Sequence, residues 1–318
     1  SETGSSGGTS SSADSASSSS SAGSSSSVAS SSSAQHACAP SLLSGTLSAD
    51  NTYLCADSVY QLSGYVIVGD GKLITIEPGT LIASEGKSAL IVMPGGKIYA
   101  VGTADKPIVF TSRKATPAAG DWAGVVIFGK APVSTTDRTQ SFEADANLRY
   151  GGNVADDSSG ILKYVRIEYA GWEVATDKEL NALTLGGVGS KTVVDYIQAH
   201  EGSDDAIEFF GGTVNVSHSV ATAYHDDGWD IDEGWQGKIE FGINIQGPNS
   251  DRGIEAGSKA VDQNLITKGE FVNVTMINNQ TNQAIHIKDN VALIMKKSVL
   301  IGAMDSANAK SKELVRLE

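Results

Sequence analysis

The amino-acid sequence predicts an all-β fold: a three-faced parallel β-helix with coils of ~22–25 residues, preceded by a disordered Ser-rich tail. Three observations predict it. Short β-rich runs broken by Gly, Asn and Asp fill the chain from Leu54 onward. Period-2 alternation is common in them and helical periodicity is scarce. One pentapeptide pattern then recurs through the second half.

The elements follow in chain order. Residues 1–34 contain 20 Ser, and most of the rest is Gly, Ala and Thr. Only Glu2 and Asp14 carry charge there, and Val28 is the only larger aliphatic. Nothing in that stretch offsets the entropy of ordering, so it reads as a flexible tether and residues 35–318 as the folded part. Cys38 and Cys55 bracket the start of the fold. Metal sites need three or four ligands, and no CxxC pattern occurs, so a disulfide is expected. It would cap the first rung, stabilise by ~3 kcal/mol and imply an oxidising compartment.

Strand-like runs follow at 65–68, 73–76, 89–92, 108–110 and 124–127. Short helical turns are expected near 142–148 and near the C-terminus. Further runs lie at 162–169, 193–197, 238–245, 271–276 and 291–301. Within this second half Asn181-Ala-Leu-Thr-Leu recurs as Asp205-Ala-Ile-Glu-Phe, Asp227-Gly-Trp-Asp-Ile, Arg252-Gly-Ile-Glu-Ala and Gln283-Ala-Ile-His-Ile. The central residues Leu183, Ile207, Trp229, Ile254 and Ile285 are 24, 22, 25 and 31 apart. They form an expected inward column with rungs ~4.8 Å apart. Roughly ten rungs fit the chain at that coil length.

At this point a resemblance appears. The stretches PGTLIASEGKSALIVMPGGKIYAVGTADKPIVFTS, GDWAGVVIFGKAP and LGGVGSKTVVDYIQAHEGSDDAIEFFGGTVNVSHSVATAYHDDGWDIDEGWQGKIEF resemble a family of secreted bacterial cell-surface proteins and lipoproteins. These are right-handed parallel β-helices, many from marine bacteria. The resemblance implies the handedness and a location outside the cell or on its outer surface. It brings no settled activity. Family members begin with a lipidated Cys and a Ser/Gly-rich tether. The tail resembles that tether, but no Cys starts this chain, so these residues do not support a lipid anchor. The chain begins at Ser1 without an apolar leader, and an export signal is expected to have been removed already.

The chemistry lies beside the apolar column. Asp204, Asp226 and Asp251 stand two residues before the small residue of each repeat. Asp205, Asp227 and Arg252 stand one before it, and Glu208, Asp230, Glu255 and His286 follow the apolar residue. Asp232 and Glu233 are close by. Like charges on adjacent rungs repel by roughly 3 kcal/mol at an effective dielectric of ~20. A cation, the Arg252 guanidinium or raised carboxyl pKa values must relieve this. Calcium suits oxygen-rich irregular loops. The expected ligands are Asp204, Asp205, Asp226, Asp227, Asp230 and Asp232. The alternative is that these Asp side chains cap turn NH groups and face solvent.

An enzyme is the second reading. SDDAIEFF, HDDGWDI and DRGIEA resemble the Asp-bearing rungs of polygalacturonase-type glycoside hydrolases, although that family's His-Gly element is missing. The resemblance implies Asp205, Asp227 and Asp230 as acid and base. Arg252 and His225 would grip an acidic sugar. Adjacent or alternate rungs give carboxylate separations of ~5 and ~9.5 Å, near those of retaining and inverting glycosidases. Trp122 and Trp235 are expected to be exposed platforms for sugar rings, and Trp229 to be core. His200, His218 and His225 have no zinc spacing. Asn215, Asn273 and Asn279 head N-x-Ser/Thr sequons.

The net charge of −14 argues against nucleic acid, and no run of ~18 apolar residues can span a membrane. The leading expectation is a secreted or cell-surface structural, adhesive or glycan-binding module, its partner a polysaccharide or cell-surface glycan. Self-assembly through the open β-helix ends is a third reading, since unpaired edges recruit chain. The apolar run at 291–301, whose charges are Lys296 and Lys297, marks one such end.

Overall fold

A computed structural model describes residues 37–56, 58–174, 180–258, 260–278, 282–302 and 314–318. The Ser-rich tail at 1–34 and Asn279 lie outside the described residues. Twenty-four strands form one continuous sheet in which every pairing is parallel, wound as a β-helix. No helix among the described residues is long and apolar enough to cross a membrane.

Each coil has three faces. One full coil shows the logic. Ile207–Phe210 lies on the first face, and Gly211 and Gly212 turn the chain. Asn215–Thr222 then supplies both other faces, bent at His218, whose φ is 49°. Asp227–Asp232 begins the next coil on the first face. Pairing along that face joins Leu183, Ile207, Trp229, Ile254 and Ile285 in one inward column. The expected register is the one observed, and the N-terminal coils continue it through Val66, Leu90 and Val125.

Every member of that column is at most 2% exposed. Burying such a side chain contributes ~1.5–3 kcal/mol, so the stacked column is a large contributor to the core it shares with the inward residues of the other faces. Where the repeat's small residue is Gly253, the reason is steric. A Cβ on Gly253 would come within 2.7 Å of the Ala284 carbonyl oxygen on the next rung. Cys38 and Cys55 are bonded across the first rung, with their Cα atoms 5.6 Å apart.

The helical turns expected at 142–148 are not there. Thr139–Phe142 and Asp145–Gly151 form the antiparallel hairpin of the structure instead. Its Phe142, Leu148 and Tyr150, with Val133, cover outward residues Ile91, Val126 and Phe128 of the first face in a second small core. The apolar outward positions of the N-terminal rungs need that cover, which reading for coils alone overlooks. The described helical turn lies at Gln263–Leu265.

Candidate functional site

The outward row of the first face changes character along the axis. Ile91 and Val126 are apolar and covered by the hairpin. Thr184, Glu208, Asp230, Glu255, His286 and Arg316 continue the row in strict register. Strand alternation puts these side chains opposite the buried column. The N-terminal half of the face is therefore a hydrophobic contact and the C-terminal half an acidic ladder.

A second row sits at the loop entering the face. Asp205 and Asp227 are only 5% and 2% exposed. Asp205 Oδ1 accepts the NH of Asp227 at 2.9 Å, and Asp227 Oδ1 accepts the NH of Arg252 at 2.8 Å. Each carboxylate thus caps the same position one rung on. The two rows converge into four triads of carboxylate oxygens, the atoms of each within 4.8 Å of one another. They are Asp204/Asp205/Asp226, Asp205/Glu208/Asp230, Asp226/Asp227/Asp251 and Asp227/Asp230/Glu255. A shift of one rung turns the first triad into the third and the second into the fourth.

Burial, followed by neighbouring carboxylates, pushes Asp205, Glu208, Asp227 and Asp230 well above the usual carboxylate range. Burial also raises Asp226. Relief is uneven. At the C-terminal end Arg252 Nη1 and His286 Nδ1 reach Glu255 Oε1 at 3.3 and 3.2 Å, and Lys288 bonds Oε2. Arg252 also pairs with Asp251. The fourth triad therefore carries its own cations, through Glu255. At the other end Glu208 accepts from the Asn181 amide nitrogen. Asn181 is 1% exposed, and its Oδ1 is buried without a partner among the described residues.

Divalent cations of the calcium type take six to eight hard oxygens. Asp205, Glu208 and Asp230 offer such a set, and Asn181, which holds Glu208 through its amide nitrogen, carries one more hard oxygen in its side chain. The donor set fits. Asn181, Glu208 and Glu255 were not among the expected ligands. The sequence signal for Asn181 was its place in the repeat, the position held by Asp205 and Asp227 one and two rungs on. Asp232 lies outside the triads, and its Oδ1 accepts the Glu233 NH at 2.6 Å.

The two tryptophans expected to be exposed are corrected. Trp122 and Trp235 are both fully buried. Trp122 Nε1 donates to the Glu168 carbonyl, and Trp235 Nε1 donates to that of Val214. The glycines beside them sit where the backbone packs closely, not where a ring leaves the core. Trp229 is core, as its column position requires. His225 stands apart from the ladder's pairings, with Nε2 3.2 Å from the amide of Asn249. His200 contacts Thr222, and His218 pairs with Asp195.

A family model described as a pectate-lyase-like beta helix domain matches residues 45–314. No curated protein matches the chain. Among solved structures it is similar to the Dettilon tailspike protein, with TM-score 0.33 and 11% identity over 84% of this chain and 61% of that one. It is also similar to the enzymatically active domain of bacteriophage CBA120 tailspike protein 2, with TM-score 0.29 and 13% identity over 80% of this chain and 42% of that one. The chain spans less than two thirds of either. Likenesses this distant carry no argument about ligand or reaction.

Proposed function

This chain belongs to the family of pectate-lyase-like β-helix domains, and from that premise we propose that it is a secreted or cell-surface module that binds an anionic polysaccharide through calcium held on the acidic ladder. The observation that carries the reading is the Asp205/Glu208/Asp230 triad, whose carboxylate oxygens lie within 4.8 Å of one another. Bound calcium would supply a centre that accepts further oxygens from a glycan carboxylate. The protein's part is to hold three carboxylates in register, with the β-helix rungs fixing their spacing. The ion pairs of Arg252 and Lys288 with Glu255 favour the N-terminal triads over the C-terminal ones as calcium sites.

The test pairs calorimetry with co-sedimentation on polygalacturonate. Calcium should bind wild type, and Asp230→Asn should weaken that binding at least about tenfold, the cost of one lost charged ligand. Retention of the polymer should require calcium and vanish in chelator. Equal retention without calcium, or by the variant, would overturn the reading. An enzymatic role has one observation in its favour: the Asp205 and Asp230 carboxyls lie close together and burial pushes both well above the usual carboxylate range, the direction acid–base chemistry needs. Release of reducing or unsaturated sugar from the same polymer would replace binding with catalysis.

A further inference from the structure

We propose that Asn244, with the Tyr224 hydroxyl bonded to it, is a positioning residue that works from inside the coil. It fixes the backbone on which Asp226 and Asp227 stand and so sets how tightly the ladder holds calcium, a role that rests on the calcium reading above. The inward column of the third face runs Ile167, Ala199, Ala221, Asn244, Met276 and Leu300 in parallel register. Asn244 is the polar member of that column and is fully buried. A buried amide costs stability unless its hydrogen bonds are made, so an apolar residue would suit the column better. Departures of this kind from the local pattern mark places where the fold holds a functional group.

Both ends of the amide lead to the loops that enter the first face. Nδ2 donates to the Gly253 carbonyl at 2.8 Å. Oδ1 accepts the hydroxyl of Tyr224, which is itself buried. Burial, then the nearby charge of Asp227, raises the Tyr224 phenol, which keeps it a donor. Tyr224 lies two residues before Asp226, and its carbonyl accepts the Ser250 hydroxyl of the next loop. The amide also explains a glycine. A Cβ on Gly228, the residue after Asp227, would lie 1.9 Å from Asn244 Nδ2. Gln246, also buried, donates from Nε2 to the Asp251 carbonyl at 3.1 Å and holds the second loop from the same side.

The consequence falls on the two triads at the N-terminal end of the ladder. Asp226 belongs to the triad Asp204/Asp205/Asp226. Asp205 is shared by that triad and Asp205/Glu208/Asp230, and its Oδ1 is held by the Asp227 NH at 2.9 Å. Asp227 Oδ1 in turn accepts the NH of Arg252, whose neighbour Gly253 is the residue that Asn244 holds. The Asp227–Gly228 and Arg252–Gly253 segments are thus fixed by carboxylates on the outside and meet one amide on the inside. Ligands must be held within about 0.5 Å of their working positions, so slack inside the coil reaches the site.

The test sets calcium calorimetry of the whole chain beside thermal melts in chelator. Tyr224→Phe with Asn244→Leu replaces both bonded partners by apolar groups of similar size, a change that is nearly neutral for stability. The melting temperature in chelator should therefore hold, while calcium affinity falls roughly tenfold, the low end for residues that orient metal ligands. Met276→Leu, an apolar swap in the same column, should leave affinity unchanged. Tyr224→Phe alone deletes one hydroxyl; it serves if the double variant folds poorly and should weaken calcium binding in the same direction. Folded variants that bind calcium as tightly as wild type would overturn the positioning role and leave the calcium reading standing. Equal weakening by Met276→Leu would also overturn it, since packing alone would then explain the loss. If wild type binds no calcium, that reading falls, and the carboxyl carbon resonances of Asp226 and Asp227 in chelator decide the positioning role. They should shift in Tyr224→Phe while those of Asp121 and Asp195 stay in place; unmoved resonances would overturn it.

Discussion

Glu208 and Ile207 are neighbours in sequence with opposite duties. Ile207 is fully buried between Leu183 and Trp229, so Ile207→Ala should cost about 2–5 kcal/mol through lost contacts and a residual cavity. Glu208 faces out into a row of carboxylates, where burial and Asp230 work against its charge. Glu208→Gln keeps its size and removes that charge. In chelator it should be neutral or stabilising. In calcium it should be less stable than wild type, because a ligand has gone. Urea denaturation of both variants with and without calcium checks the pair. A larger loss for Glu208→Gln than for Ile207→Ala in chelator would contradict the register. That register was legible in the sequence, because inward and outward residues alternate and the repeat spaces them one coil apart. The burial of Trp122 and Trp235 was not, since a glycine neighbour signals either a turn or a close packing contact.

Among the elements, the hairpin Thr139–Gly151 decides where the ladder begins. It seals Val126 and Phe128 with Phe142, whose ring meets Phe128 at 5.1 Å edge-on. Tyr150 OH donates to Glu233 Oε2 at 2.8 Å and Gln140 Nε2 to Oε1 at 3.2 Å, which ties the hairpin across to the acidic half. Phe142→Ala should cost about 3–5 kcal/mol. The loss should be local. Hydrogen exchange should quicken in Trp122–Phe128 and the hairpin while strands of the acidic half stay protected. Uniform deprotection would mean that the hairpin belongs to the main core. Strand periodicity conceals this element, because it pairs with itself and packs on the outside of the coils instead of contributing a rung. The corner column was equally hidden. Tyr164, Tyr196, His218 and Phe241 all take φ of 49–57°, a conformation that costs ~1–2 kcal/mol for a residue with a Cβ. Stacking of their rings at 4.2–5.0 Å offsets it by ~0.5–1.5 kcal/mol per pair. A sequence pattern gives strands and columns but not which residue of a coil turns left-handed.

For the whole molecule, the ladder ties stability to pH with a definite sign. Asp205, Glu208, Asp227 and Asp230 hold protons more tightly when folded than when unfolded, chiefly because burial disfavours their charge. Between the unfolded value of ~4 and those raised values the folded chain therefore binds more protons, and stability falls as pH rises. Asp121 and Asp195 act oppositely. Burial pushes both up, but bonds from Lys114 and Ser112 to Asp121, and from Lys163 and His218 to Asp195, hold them below the usual range. Their contribution is present above ~4 and is lost as pH falls through the lowered values. In chelator the melting temperature should peak on the acid side of neutrality and decline from about pH 5 to pH 8 as the ladder is forced to ionise. Saturating calcium should flatten or reverse that decline, since a bound cation favours the same charges that burial opposes. Replacing Asp205 and Asp230 together by Asn should flatten it without calcium. Thermal melts across the pH range in chelator, in calcium and for the double variant check all three arms. A wild-type curve in chelator with no slope between pH 5 and 8 would mean that the carboxylates ionise freely and that the ladder stores no electrostatic cost.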